Sequence, residues 1–329
     1  MSSRHSWVLV AALVGLVAAP LASQPRTAFP EQRGFKRTDF PRLVTLAENV
    51  YGYEEIREPG FTTVSLIVVG ADGVLLADGQ GSPAATQTLL DKIKTITPKP
   101  VKWYVVGSEH GDHTAGNSVL PRDVTYIVHP TSRAQLERDA ATVMGQNLKA
   151  AAEAMTKGGP PPTPRPPVIV PPAAMSGDRQ TVDLGGIEVQ VLFLGRAHTG
   201  GDLHVYLPKQ RLLFMSEAFL NRVFPAMRSA YPTEWVKTID RALAMDVDRF
   251  VPGHGFIEGP PASREELQAF QRALSYVIDE TRRLHRLNLS ADDALAQAKW
   301  GEYAQWMLAD QQGIVAIRKI FEELEGKLK

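Results

Sequence analysis

The sequence predicts a mixed α and β chain, α/β or α+β, with two mixed sheets under outer helices and a helical C-terminal tail. Three observations predict it. Apolar β-rich runs and helical spacing alternate between residues 61 and 157. The alternation resumes between 180 and 251, and from Ser263 onward the pattern is helical only. Helices laid over sheets bury the apolar faces of both element types, which is the layer solution for such an order.

Taken from the N-terminus, Arg4 and His5 precede an uninterrupted apolar run from Trp7 to Ala19, followed by Pro20-Leu-Ala-Ser23. The run is shorter than the roughly 20 residues that span a bilayer. Basic start, short apolar stretch and small residues at the cut describe a secretory signal peptide over 1–23. Residues 24–44 are polar and proline-bearing and read as a loose lead-in. The chain has no cysteine, so neither a disulfide nor a thiolate ligand is available. Export is then expected to the periplasm or the outside, with no stable membrane anchor once the signal is cut. The net charge of zero gives no reason to expect nucleic acid as a partner, and a small-molecule substrate is expected instead.

Phe61–Val69 and Val74–Ala77 are strands joined by Gly70-Ala-Asp-Gly73, a hairpin signal. Ser82–Ile96 has helical spacing with Ser82 as its cap. Strands follow at 101–106 and 124–128, then a helix from Pro130 to about Lys157. Residues 158–177 carry eight prolines, which lack a donor and fix φ, so an extended surface excursion is expected there. Strands resume at 180–184, 187–194, 203–207 and 211–215. A helix covers 233–245, a short strand 249–251, and helices 263–286, 290–307 and 313–324. The main domain is placed at 45–260, and the helical segment 261–329 is expected to pack on it.

Four pieces carry the chemistry: SEHGDH at 108–113, GRAHTGGD at 195–202, FMSEAF at 214–219 and VPGHG at 251–255. Each sets histidine or carboxylate at the end of a predicted strand, and all but FMSEAF set it beside glycine. Imidazole and carboxylate are the N and O donors that zinc uses, and a strand end aims the loop beyond it. His129 and His204 lie in or beside strands and read as packed or hydrogen-bonded. His285 sits on a charged helix face.

The order and spacing of these pieces over about 45–325 resemble the metallo-β-lactamase superfamily of zinc hydrolases. The resemblance implies an α+β, four-layer αββα sandwich. It implies one site from three histidines, which here would be Ser108, His110 and His198, and a second from Asp112, His113 and His254. Glu217 stands where an aspartate bridges the two metals, and Asp78 where a carboxylate buttresses them. A serine hydroxyl is a poor zinc ligand, so one zinc is expected to bind tightly and a second weakly or not at all. The mono-zinc lactamases also lack the first histidine, and related alkylsulfatases carry a glutamate in a comparable role. Asp112 is expected to orient a zinc-bound hydroxide, with His110 and His198 facing it. Iron or manganese suits the same donors.

After Glu217, Phe219, Phe224 and Met227 are candidate pocket walls, and Arg222 or Arg228 would meet a substrate carboxylate. The plainer reading makes this stretch a packed connection. The function expected is hydrolysis of an ester, amide, lactam or thioester by an exported enzyme. The alternative is a non-enzymatic or degenerate member that binds metal or ligand.

Overall fold

The computed structural model describes residues 25–157 and 159–328, so the signal-peptide expectation over 1–23 lies outside the described residues. The first sheet is built from β1 (Arg42–Ala47), β2 (Val50–Arg57), β3 (Phe61–Val69), β4 (Val74–Ala77), β5 (Val101–Val105) and β6 (Thr125–Ile127). They lie side by side in sequence order, antiparallel through β4 and parallel from β4 to β6. The second sheet has the order β11 (Arg249–Val251), β10 (Leu212–Phe214), β9 (His204–Leu207), β8 (Glu188–Leu192), β7 (Arg179–Asp183). Only its β10–β11 pair is parallel.

Side-chain alternation separates the layers. On β3, Val64, Leu66 and Val68 face the second sheet, where they meet Val189, Val191, Val205 and Phe214. The intervening Ile67 and Val69 face outward onto Leu89 and Ile93 of α1 (Pro83–Ile96). On the far side, Leu213 and Met215 pack against Trp235 and Ile239 of α4 (Pro232–Leu243). Phe270, Leu274 and Val277 of α5 (Ala262–His285) and Ile320 of α7 (Ala309–Leu324) complete that layer. The result is a four-layer αββα sandwich, with C-terminal helices built into one outer layer.

Three segments differ from expectation. Residues 25–41 are packed rather than loose. Arg33 is buried against Glu258 at 2.6 Å, and Phe35, Phe40 and Phe256 form an aromatic cluster. β1 and β2 follow at once. The helix expected over 290–307 is broken: α6 (Ala291–Gln297) ends before a 3-10 turn at Gly301–Gln305, where Gly301 takes φ 56°. α7 in turn begins at Ala309, earlier than expected, after Leu308 takes φ 68°. α3 (Pro130–Thr156) runs long, and the proline-rich stretch folds back beside it without regular structure. Asn147 holds both backbone polar groups of Arg165, and Arg133 Nε donates to the Pro171 carbonyl at 2.8 Å. No helix among the described residues is long and apolar enough to cross a membrane.

Candidate metal centre

The parallel pairs β4–β5 and β10–β11 point their C-terminal ends at one edge of the sandwich, and the polar loops start there. Asp78 follows β4 and Ser108–His113 follows β5. Glu217 lies on the 3-10 turn Ser216–Ala218 after β10, and His254 follows β11. His198 comes from the loop between β8 and β9. Backbone bonds tie the sheets together here: Val64 N donates to the Gly253 carbonyl at 2.8 Å and Leu203 N to the Gly107 carbonyl at 2.9 Å. Glycine is required at 253, where a Cβ would stand 2.4 Å from the Ser216 carbonyl carbon.

Two donor groups result. His110, His198 and Glu217 present ligand atoms within 4.8 Å of one another, and so do Asp112, His113, His254 and Glu217. Glu217 belongs to both. Its Oε2 lies 2.9 Å from His110 Nδ1, and its Oε1 lies 3.2 Å from His198 Nε2 and 3.3 Å from His254 Nε2. His113 Nε2 and His254 Nε2 face each other at 3.3 Å.

Hydrogen bonds set which nitrogen faces the centre. His254 Nδ1–H donates to the Thr62 carbonyl at 2.9 Å, which leaves Nε2 toward Glu217 and Asp112. His110 Nε2 is taken by Ser229 Oγ at 3.1 Å, leaving Nδ1 inward. His198 packs edge-on against Trp235, whose indole N–H donates to the Ala218 carbonyl. Such outer contacts fix ring orientation before any ligand arrives.

Asp78 stands behind the centre. It is fully buried, with φ 60°, and its Oδ1 accepts from Gly107 N at 2.7 Å. Ser216 Oγ donates to its Oδ2, which also lies 3.1 Å from His113 Nδ1. The Ser108 hydroxyl, also buried, is turned onto the carboxylate that both donor groups share. It donates to Glu217 Oε2 at 2.6 Å.

The buried charges couple strongly. Burial disfavours the His110 imidazolium, but Glu217, with Glu109 and Asp112, outweighs it and lifts the ring to about 9. His254 reaches about 9 in the same way, with Asp112 and Glu217 overcoming burial. Burial and Glu217 push Asp112 up, yet His113 and His254 prevail and it stays below its ordinary range. Burial also opposes Glu217 ionisation, while His198, His110 and His113 hold it well below that range. Carboxylates and imidazoles thus stabilise one another's charge within the centre.

Arg57, at the end of β2, was not singled out from the sequence. Its Nη1 pairs with Asp112 Oδ2, and its guanidinium lies over the Phe61 ring. Arg57, Phe61 and Arg228 line a cavity of about 400 Å³ whose floor is His110, Asp112, His198, Glu217 and His254. The opposite wall comes from Leu308, Gln311, Gln312 and Val315. Three expectations for this wall are corrected. Arg222 points elsewhere, its guanidinium paired with buried Glu266 and lying over Trp306. Phe219 and Phe224 are buried in the outer core and do not line the cavity, and Met227 joins them there. Leu220 and Val223 line it instead. Leu220 and Val223 belong to the same buried layer and only edge the cavity, and residue type alone does not decide which side chains of 219–227 reach it.

Of the remaining histidines, His129 accepts from Thr131 N at the start of α3 and stacks on Phe193. His204 is fully buried, and burial pushes it down to about 4. His285 packs edge-on against Phe321.

The donor set fits zinc. It offers imidazole nitrogens and carboxylate oxygens with their supporting hydrogen bonds, and the chain has no thiolate to compete.

A model of the metallo-β-lactamase superfamily matches residues 57–254. The chain is 25% identical over 231 residues to the 2,4-dinitroanisole O-demethylase subunit alpha of Nocardioides sp. (strain JS1661), covering 64% of this chain and 62% of that one. It is 22% identical over 260 residues to the linear primary-alkylsulfatase of Pseudomonas sp. (strain ATCC 19151), covering 71% of this chain and 49% of the other. It thus spans about half to three fifths of the length of these curated relatives. Among solved structures, the inverting sec-alkylsulfatase Pisa1 from Pseudomonas sp. superposes with a TM-score of 0.65 at 14% identity. That match covers 85% of this chain and 50% of the other.

Proposed function

The chain belongs to the metallo-β-lactamase superfamily, and from that premise we propose that it is a metal-dependent hydrolase acting on an ester of a small molecule. One observation carries the reading. Two ligand groups share Glu217 on the floor of a cavity large enough for a small substrate.

Zinc held by His110, His198 and Glu217, or by Asp112, His113, His254 and Glu217, would supply a Lewis acid and a water with its pKa lowered to about 7. The protein residues do the rest. Asp112 stays ionised beside His254 and accepts a hydrogen bond from the nucleophile, orienting it. Arg57 fixes the Asp112 carboxylate from the cavity side. His110 is locked between Glu217 and Ser229, so its ring cannot swing out when a substrate enters. Phe61 and Leu220 exclude water from one side of the centre. An ester is placed first because one relative is named an alkylsulfatase, and a lactam stays in the test because another is named a metallo-β-lactamase. The apolar N-terminal run supports the proposal that the enzyme is exported and acts on a small molecule in the periplasm or outside.

A second reading is favoured by Ser108. Its hydroxyl occupies Glu217 where the family resemblance calls for a metal-ligating histidine. On that reading the chain binds metal or ligand without turnover.

The test is zinc content by elemental analysis together with turnover of 4-nitrophenyl acetate, 4-nitrophenyl sulfate and a chromogenic lactam. Loss of ester turnover with chelator and its return with zinc supports the hydrolase. Bound zinc with no turnover on any of the three supports the second reading.

A further inference from the structure

Gln311, Gln312 and Val315 share one side of the first two turns of α7, and Leu308 is the residue that caps its start. All four line the cavity above the metal centre. They belong to the start of α7, well beyond the 57–254 span that carries the ligands. The wall facing the chemistry is therefore supplied by the C-terminal tail.

The tail is fixed to the cavity by its backbone. Met307 N donates to the Arg222 carbonyl, and Phe224 N donates to the Met307 carbonyl at 2.9 Å. Leu308 then takes φ 68°, a conformation that a residue with a Cβ rarely adopts. The Leu308 carbonyl accepts from Gln311 N and Gln312 N and so starts α7 at this point. The turn delivers a leucine side chain to the cavity where glycine would suit the backbone better. Such an outlier points toward a role for the side chain.

The lining has two chemical halves. Val223 is bridged to Met307, next to Leu308, and with Leu220 and Val315 these side chains give the cavity an apolar side, although Leu220 and Val223 are each only 1% exposed. Arg228 is exposed at the same cavity, and among the described residues no carboxylate pairs with it. Glu58 also lines the opening, but it is paired with Arg37. A guanidinium without a carboxylate next to that apolar side suits an anion that carries an apolar arm.

We propose that the first two turns of α7 select the substrate, and that the substrate is an amphiphilic anion. Its apolar arm lies along Leu220, Val223, Leu308 and Val315, and its anionic group meets Arg228. This rests on the hydrolase reading only for calling the ligand a substrate; the binding itself is independent of turnover.

The test uses the zinc-loaded full chain and titration calorimetry with butane-, hexane- and octanesulfonate, against the matched alcohols. Each added pair of methylenes should tighten binding about threefold or more, since the apolar side buries part of each methylene. Val315→Trp should flatten that chain-length series, weakening octanesulfonate far more than butanesulfonate, while leaving zinc content unchanged. Val315→Ser, which adds no bulk, should weaken octanesulfonate more than butanesulfonate. Arg228→Gln should weaken every sulfonate about tenfold, in line with loss of one charge-assisted contact, and leave the alcohols unaffected. Equal affinity across the series in the native chain, or a series unchanged in both Val315 variants, overturns the proposal. Chain-length-dependent binding without ester turnover would sink the hydrolase reading alone. Ester turnover indifferent to chain length would sink this inference alone.

Discussion

The Ser108 hydroxyl donates to Glu217 Oε2 at 2.6 Å, and both groups are buried. The serine thus acts on the carboxylate that both donor groups share. Glu217 is one methylene longer than the aspartate implied by the family resemblance, and its Oε2 is held by the residue that stands at the first-histidine position of that resemblance. The two departures from the family pattern are in contact with each other.

Ser108→Ala should therefore loosen Glu217 and weaken zinc binding by about 10–100-fold, the usual cost of losing a contact that orients a ligand. Ser108→His removes the same contact but adds an imidazole beside His110 and His198, and should raise the zinc stoichiometry. Competition with a chromogenic chelator reads both. An unchanged isotherm for Ser108→Ala would show that the hydroxyl does not hold Glu217 in place.

Asp112→Ala should abolish ester turnover and weaken zinc, because it removes a donor and the group that orients the nucleophile. Asp78→Asn should be milder on turnover. Asparagine tolerates the backbone at φ 60°, but its amide cannot take Gly107 N and Ser216 Oγ on two anionic oxygens. Asp78→Ala should also lower the melting temperature, since a buried acceptor is lost and the left-handed backbone is strained. Full activity of Asp112→Ala would refute its assigned role.

Much of the ligand set was legible because the residues cluster just past strand ends, and at three of the four pieces glycine stands nearby, where backbones meet. Gly253 shows why, with Ser216 backbone pressed against it. β1 and β2 were not legible. Their inward face carries Glu54 and Gly52, which break the apolar pattern. Glu54 is buried because Arg42 pairs with it and Ile257 N donates to it at 2.8 Å. Gly52 is small because a Cβ there would stand 2.2 Å from Ile257 Cδ1. Those partners are remote in sequence, so nothing local marks the strands. The same holds for the cavity wall. Arg222 and Arg228 are equivalent as letters, and only the buried Glu266 decides which one turns away.

The metal-free protein should lose stability on going alkaline. His110 and His254 titrate at about 9 in the fold against about 6.5 when unfolded. A raised imidazole contributes its full stabilisation below pH 6.5 and loses it as pH climbs through 9. Urea midpoints of the metal-free chain should fall across that window. Zinc must displace the same protons, so uptake at pH 7.5 should release up to one from each ring. Calorimetry in buffers of different ionisation enthalpy measures the release. Zinc uptake without proton release would mean that both rings are already neutral.

Arg57 sets up a contest whose sign can be worked out. Its Nη1 and His254 Nε2 both meet Asp112 Oδ2, the latter at 3.0 Å, so the arginine sits on an oxygen that a metal would use. It could help by fixing Asp112, or hinder by placing a positive charge near a cation site. Two unit charges about 6 Å apart interact by about 3 kcal/mol at an effective dielectric of 20. Arg57 is half-exposed, so solvent removes much of that, and about 1 kcal/mol remains as a working figure. The positioning gain is smaller, because His254 already fixes the same oxygen. Arg57→Gln should therefore tighten zinc by about fivefold to tenfold, an effect that shrinks as salt rises. Turnover should fall in the same variant, since Asp112 loses its partner on the cavity side. Weaker zinc binding in Arg57→Gln would reverse the balance and make Arg57 a support of the metal centre rather than its competitor.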